Sequence, residues 1–271
     1  MRESHVSGAI GYDRGMSLKG KIVFITGASA GIGAATALAF AAEGARLLLA
    51  ARRASKLAEV ASQALERGAE AVHSIDLDVR SRHAVQTAID ELPPEWGEID
   101  ILVNNAGLSR GLEKLYMGRV EDWEEMIDTN VKGLLYVSRA VVPGMVVRRR
   151  GHVVNMGSTA GILPYPGGAV YCASKAAVHS LNDGLRQDVL GTPVRVTCID
   201  PGAVQTDFSL VRFRGDARRA AKVYAGITPL TAEDVAAAIL WAVKQPAHVN
   251  IAHVVMMPVD QANSLLFNRE G

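Results

Sequence analysis

The chain alternates two kinds of segment from end to end, and this alternation limits its fold more than any other feature. Short runs that are apolar almost throughout, such as KIVFITG, ARLLLAA and IDILVNNAG, are followed by longer segments with helical spacing, such as SKLAEVASQALERG. A strand apolar at every position is buried on both faces, as in parallel sheets covered by helices on either side. Strand–helix units of this kind wind right-handedly and leave a cleft at the carboxyl ends of the strands. Strand runs are expected at 21–27, 45–51, 71–79, 99–107, 151–158, 194–202 and 253–258. Helices are expected at about 31–44, 55–68, 81–92, 120–150, 168–190 and 231–246. Gly68 stops the second of these, Ser81 caps the third, and a Thr231-x-x-Asp234 box opens the last. The reading is an α/β, doubly wound sheet of seven mainly parallel strands flanked by helices.

Other properties narrow the function. The 271 residues are 49% apolar with a formal net charge of +1, so neither nucleic acid nor an anionic membrane is expected as a partner. Cys172 and Cys198 give no disulfide framework, which suits a reducing, cytoplasmic setting. No apolar run reaches the roughly 18 residues of a membrane span. Residues 1–16 lack the apolar core of a secretory signal and are expected to form a flexible extension, with one domain over 17–271.

TGASAGIG, at 26–33, follows the first strand and opens the first helix. Gly27 permits a tight turn, Gly31 lets a pyrophosphate approach the backbone, and Gly33 allows close helix–strand packing. The helix N-terminus supplies amides and a positive dipole end. An ordinary strand-to-helix turn is the plainer alternative, which the strand-before, helix-after context disfavours. The spacing G-x-x-x-G-x-G is one residue longer than the common dinucleotide fingerprint.

With this turn, NNAG (104–107), NMGS with YCASK (Ser158, Tyr171, Lys175) and DPG (200–202), the chain resembles the short-chain dehydrogenase/reductase family over nearly all of 19–258. The resemblance implies a single-domain Rossmann-type fold and the catalytic set Asn130, Ser158, Tyr171 and Lys175. Tyr171 and Lys175 are one helical turn apart. A phenol is a poor base at neutral pH, but a nearby ammonium and an oxidised nicotinamide stabilise the phenolate. Tyr171 can then act as acid in carbonyl reduction or as base in alcohol oxidation. Ser158 would orient the substrate oxygen, and Lys175 would also hold the nicotinamide ribose. Asn130 sits mid-helix, where asparagine is a poor helix former, and the family uses such a residue to bind a relay water.

Cofactor contacts implied by the resemblance are Gly27, Ser29, Gly31, Ile32 and Gly33 at the first turn. They continue with Asp78 and Val79 at the end of the third strand, near adenine, and with Asn104, Ala106 and Gly107. Tyr171, Lys175, Pro201, Gly202, Val204 and Thr206 complete them around the nicotinamide. In this fold an acid at the end of the second strand selects NAD by repelling a 2′-phosphate. Here Ala51 stands in that place and Arg52 and Arg53 follow, so NADP is the expected cofactor. Arg53 stays open between a second phosphate ligand and a solvated helix lead-in.

A segment near 205–228 is expected to form a lid over the substrate. FSLVRF, PLTAEDVA and PAHVNIAHVVMMP resemble the NADP-dependent 3-hydroxy acid dehydrogenases of this family, which act on serine, L-allo-threonine and related acids. A small hydroxy acid needs a cation for its carboxylate. Arg212 is favoured, with Arg214 and Arg110 as alternatives. A broad carbonyl or 3-oxoacyl reductase is the alternative enzyme, and an NADP(H)-sensing regulator the alternative outside enzymes. Arg148 to Arg150 read as a helix end, and Cys172 and Cys198 as core or interface. His248 and His253 show no ligand-type partners in the sequence, so no metal site is expected. By resemblance the chain forms a homotetramer through its last strand and tail.

Overall fold

The computed structural model describes residues 16–270; the extension expected before Met16 lies outside them. Met16 itself belongs to the body of the fold, its N–H donating to the Lys244 carbonyl at 3.1 Å. The strands are β1 (Ile22–Thr26), β2 (Arg46–Ala51), β3 (Ala71–Asp76), β4 (Ile101–Asn104), β5 (Gly151–Met156), β6 (Val194–Pro201) and β7 (His253–Met256). The main helices are α1 (Gly31–Ala42), α2 (Ala54–Glu66), α3 (Arg82–Asp90), α4 (Val120–Ile127) and α5 (Leu134–Val147). After them come the short α6 (Thr159–Ile162), α7 (Ala169–Asp188), α8 (Phe208–Arg212), α9 (Ala217–Tyr224) and α10 (Ala232–Val243).

The sheet order is β3-β2-β1-β4-β5-β6-β7, and every pairing is parallel. Successive residues of β1 serve opposite layers. Val23 and Ile25 join a core with α1, α2 and α10, while Ile22 and Phe24 join a core with α3 and α5. Burial on both faces explains why the strands read as unbroken apolar runs. The chain order reverses direction between β1 and β4, so the carboxyl ends of these two strands flank the cleft.

The capping signals hold: Ser81 Oγ accepts from the Ala84 N–H at 3.2 Å, and Thr231 and Asp234 form a reciprocal capping box. Two boundaries differ from expectation. β3 ends at Asp76, so Asp78 lies in the following loop. The expected long helix over 120–150 is two α-helices joined by a π-helical turn at Asp128–Gly133. Hydrophobic spacing does not register one extra residue in a turn, so the periodicity passes straight over it. The segment near 205–228 holds α8 and α9.

Candidate active site

A cleft of about 910 Å³ opens at the carboxyl ends of the strands. At its floor, Gly27 has φ +66°, and a Cβ there would lie 2.9 Å from the Ala106 Cα. Only glycine lets the turn approach the end of β4 this closely. Asn105, which the sequence analysis passed over, fastens the two together. Its Nδ2 donates to the Thr26 carbonyl at 2.9 Å and the Gly27 carbonyl at 3.2 Å. Thr26 Oγ1 in turn accepts from the N–H groups of Asn105 and Ala106, both at 3.1 Å. The first turn of α1 has no side-chain cap and no acidic residue. Its amides are therefore available to an anion in the cleft.

Gly27, Ser29, Gly31, Ile32, Val79, Ala106 and Gly107 line this half of the cleft. Gly33 does not; it packs beneath the turn. The side chain of Asn104 also departs from expectation. It is buried, and its Nδ2 donates to Ser138 Oγ and Asn155 Oδ1, both at 3.0 Å. Alternation along a strand sends neighbouring side chains to opposite faces, so of the two asparagines only Asn105 reaches the cleft.

Arg52 and Arg53 both line the cleft beside Ala51. Arg53 donates from Nε and Nη2 to Ser29 Oγ at 3.3 and 3.2 Å, bridging the end of β2 to the glycine turn. Arg52 Nη1 stands 3.9 Å from Asp78 Oδ2. Asp78 is chelated by Arg80, whose Nε and Nη2 reach its oxygens at 3.0 and 2.6 Å. The hydrogen bond from Arg80 lowers the Asp78 pKa despite partial burial. The charges continue along the rim through Glu125, 3.8 Å from Arg80, to Arg110 at 2.7 Å.

At the other half, Ser158, Tyr171 and Lys175 meet, with Pro201, Gly202, Val204 and Thr206 lining the same space. Tyr171 and Lys175 are consecutive turns of α7, and the ammonium lies 5.9 Å from the phenol ring centroid. Lys175 Nζ donates to the Met156 carbonyl at 2.7 Å. Burial pushes its pKa down to about 8. Burial raises the Tyr171 phenol above its ordinary value, with the neighbouring Tyr165 adding to this, while Arg212 and Ser158 pull the other way. Ser158 N-caps α6, its Oγ accepting from the Ala160 N–H at 3.1 Å.

Asn130 occupies the π-helical turn, not a regular helix. Its Oδ1 accepts from the Leu108 N–H at 2.8 Å, and its Nδ2 donates to the Leu108 carbonyl at 2.8 Å and Ser174 Oγ at 3.0 Å. The side chain is thus committed to bracing the segment after β4 against α7. A relay water at this residue would fall to its main chain.

The three lid and rim arginines separate cleanly. Arg110 is paired with Glu125, and Arg214 with Asp122. Arg212 is buried, and among the described residues no carboxylate forms a salt bridge with it. Its guanidinium carbon lies 5.3 Å from the Tyr171 ring centroid and 5.1 Å from that of Phe208. Nη2 donates to the Tyr165 hydroxyl at 2.7 Å, and Nε has no partner. Tyr165 and Phe208 were not legible as site residues in the sequence; only the folding of α8 over α7 brings them there. The tail closes the cleft from below: Gln261 Oε1 accepts from the Ala203 N–H at 2.8 Å, and Phe267 and Arg269 join the lining.

Cys172 is buried among Leu108, Met126 and Ala160, as a core residue. The expectation that His253 lacks ligand-type partners is not met. It bonds to Asp200 and Asp183, and Asp200 also meets His179 and Cys198. Among the described residues no helix is long and apolar enough to cross a membrane.

Comparison with known proteins places this geometry. The family model described as short chain dehydrogenase matches residues 21–215. The chain is 51% identical over 243 residues to the NADP-dependent 3-hydroxy acid dehydrogenase YdfG of Salmonella typhi, covering 89% of this chain and 96% of that protein. It is 46% identical over 242 residues to sulfoacetaldehyde reductase 2 of Chromohalobacter salexigens, covering 89% and 95%. Among solved structures, the closed form of serine dehydrogenase complexed with NADP+ superposes with a TM-score of 0.86 at 48% identity, covering 92% of this chain and all of that one.

Proposed function

The chain belongs to the short-chain dehydrogenase family, and from that premise we propose that it is an NADP-dependent oxidoreductase acting on the hydroxyl-bearing carbon of a short 3-hydroxy acid. One observation carries the substrate class: Arg212 is buried with no carboxylate partner among the described residues and with Nε unpaired, unlike the buried Arg195, whose guanidinium is held by main-chain carbonyls, and it lies over the ring of the catalytic tyrosine. A buried cation left in this state calls for an anionic partner. A carboxylate bound there would present its 3-hydroxyl to Tyr171. The similarity to the 3-hydroxy acid dehydrogenase and serine dehydrogenase supports the same reading.

The residues present fit NADP. The uncapped amides of α1 receive phosphate, Gly27 clears the approach, and Arg52 and Arg53 face the cleft where Ala51 offers no repelling acid. Bound NADP supplies the hydride acceptor at its nicotinamide. Tyr171, as the phenolate that the ammonium of Lys175 stabilises, takes the proton from the substrate hydroxyl and becomes the neutral phenol. Ser158 orients the substrate oxygen, and Arg212 anchors the far end. Asn130 keeps the Leu108 segment in register with α7, so the site is rigid on that side.

Arg52→Asp is expected to lower the kcat/KM preference for NADP over NAD by about 10- to 100-fold, the equivalent of one charge-assisted hydrogen bond of about 1.5–3 kcal/mol. Steady-state kinetics with both cofactors measures this, and an unchanged ratio sinks the assignment of Arg52. Arg212→Ala is expected to raise KM for 3-hydroxypropionate by about 10- to 100-fold on the same basis, with Arg212→Lys intermediate. An unaltered KM in Arg212→Ala would move the carboxylate elsewhere. An oxidation screen over serine, L-allo-threonine, 3-hydroxyisobutyrate and simple alcohols tests the substrate class directly. Equal rates on uncharged alcohols would favour a broad carbonyl reductase instead.

Exposed apolar side chains on α10, β7 and the tail, namely Trp241, Val255, Leu265 and Leu266, support a homotetramer built through that edge. A cytoplasmic location fits the two unpaired cysteines.

A further inference from the structure

Behind Ser158, on the side away from the cleft, three segments bring four metal-ligand side chains to one point. Strands β6 and β7 pair with Cys198 opposite His253. Residues two apart on a strand share a face, so Cys198, Asp200 and His253 belong to one side of the sheet, and α7 crosses there and adds His179. His179 Nε2 lies 2.6 Å from Asp200 Oδ1, and Cys198 Sγ lies 3.2 Å from the same oxygen. His253 Nδ1 lies 3.1 Å from Asp200 Oδ2. The ligand-type atoms of His179, Cys198 and Asp200 all fall within 4.8 Å of one another.

Two features go beyond proximity. Gly157 keeps the space clear: a Cβ there would lie 1.8 Å from Asp200 Oδ1, 2.7 Å from Cys198 Sγ and 2.9 Å from His179 Nε2. The outer nitrogen of His253 is already oriented by a carboxylate, Asp183 Oδ1 at 2.9 Å, which Arg186 holds at 2.8 Å. A carboxylate behind a histidine is the arrangement that fixes the ring of a metal ligand. Cys198 and Asp200 are fully buried, whereas the two imidazoles are partly exposed and leave an entry path.

We propose that His179, Cys198, Asp200 and His253 form a site for a zinc-class divalent cation, one hydrogen bond away from Ser158. One sulfur, two imidazole nitrogens and one carboxylate is a donor set that tetrahedral zinc accepts. Zinc–ligand distances of about 2.0–2.3 Å place tetrahedral neighbours roughly 3.3–3.7 Å apart, so His179 and Asp200 separate by about half an ångström or slightly more, while His253, which reaches Asp200 from outside the 4.8 Å group, moves inward to close the fourth position. The cation takes the place of the thiol and imidazole protons now shared with Asp200, so the sulfur binds as the thiolate and its proton passes to solvent. Asp200 Oδ1 also accepts the Ser158 N–H at 3.1 Å, which ties the site to the catalytic serine.

The test uses the full chain, stripped with chelator, then loaded with zinc or cobalt(II) and passed through gel filtration. One metal per chain is expected by elemental analysis, and the cobalt form should show a thiolate-to-metal charge-transfer band. Cys198→Ser should lose that band, and His253→Asn, at the exposed edge, should weaken zinc binding about 10- to 100-fold while keeping the fold by circular dichroism. No retained metal, metal retained without the band, or a band that survives Cys198→Ser each overturns the proposal. If Cys198→Ser does not fold, an unchanged zinc affinity in His253→Asn overturns it as well.

Discussion

Tyr171→Phe will lower kcat for oxidation of a 3-hydroxy acid by about 10²- to 10⁴-fold, the range that one positioned proton-transfer group supplies. Cofactor affinity will stay near that of the parent, because the ring is retained and only the hydroxyl is lost. The site gives no substitute for that hydroxyl. Tyr171 is buried under Arg212 and Phe208, and Ser158 Oγ accepts the Ala160 N–H. Lys175 donates to the Met156 carbonyl and points no lone pair at a substrate while it is an ammonium. With its pKa held down to about 8 by burial, Lys175 is charged at neutral pH and loses its charge as pH rises through that value. The sign for the phenolate follows: the stabilising charge is present below about pH 8 and fades above it. Stopped-flow turnover alongside NADPH binding by fluorescence separates chemistry from binding. A variant with parental kcat would remove Tyr171 from the mechanism.

Gly33→Ala will weaken NADP binding by about tenfold or more and lower Tm by several degrees. Its new methyl carbon would lie 2.4 Å from the Gly27 carbonyl oxygen and 2.5 Å from Asn105 Nδ2. Neither neighbour can retreat, since the same Asn105 nitrogen holds the Thr26 and Gly27 carbonyls at 2.9 and 3.2 Å. Overpacking of this kind costs about 1–3 kcal/mol, and each kcal/mol shifts Tm by roughly 2–4 °C in a chain of this size. Calorimetric melting and cofactor titration measure both. Retention of parental Tm and affinity would show that the turn can shift, and that Gly33 is not needed for packing.

Much of this was readable from the chain. The strands announced themselves because burial on both faces demands apolar residues at every position, and the glycine turn and the Tyr171–Lys175 pair are local in sequence. What escaped was set by distant neighbours. Arg212 is favoured in the sequence by its segment alone; what sets it apart physically from Arg110 and Arg214 is that Glu125 and Asp122 neutralise the other two. Asn104 and Asn105 are adjacent letters that a strand turns to opposite sides. The π-helical turn holding Asn130 leaves hydrophobic spacing intact while changing the backbone. The cluster around Asp200 draws on α7, β6 and β7, and it depends on a strand register that no local pattern encodes.

The contact between Gln261 and Ala203 carries a consequence for how the enzyme comes into being. Ala203 follows the strand end that faces the nicotinamide half of the cleft, and its amide is satisfied by a side chain made 58 residues later. A ribosome that has just finished the lid has therefore made every residue assigned to proton transfer, but not the wall that completes their chamber. A chain cut before Gln261 would keep Ser158, Tyr171 and Lys175 but leave the Ala203 amide without that partner, so the order of synthesis separates the making of the reactive side chains from the closing of the wall around them.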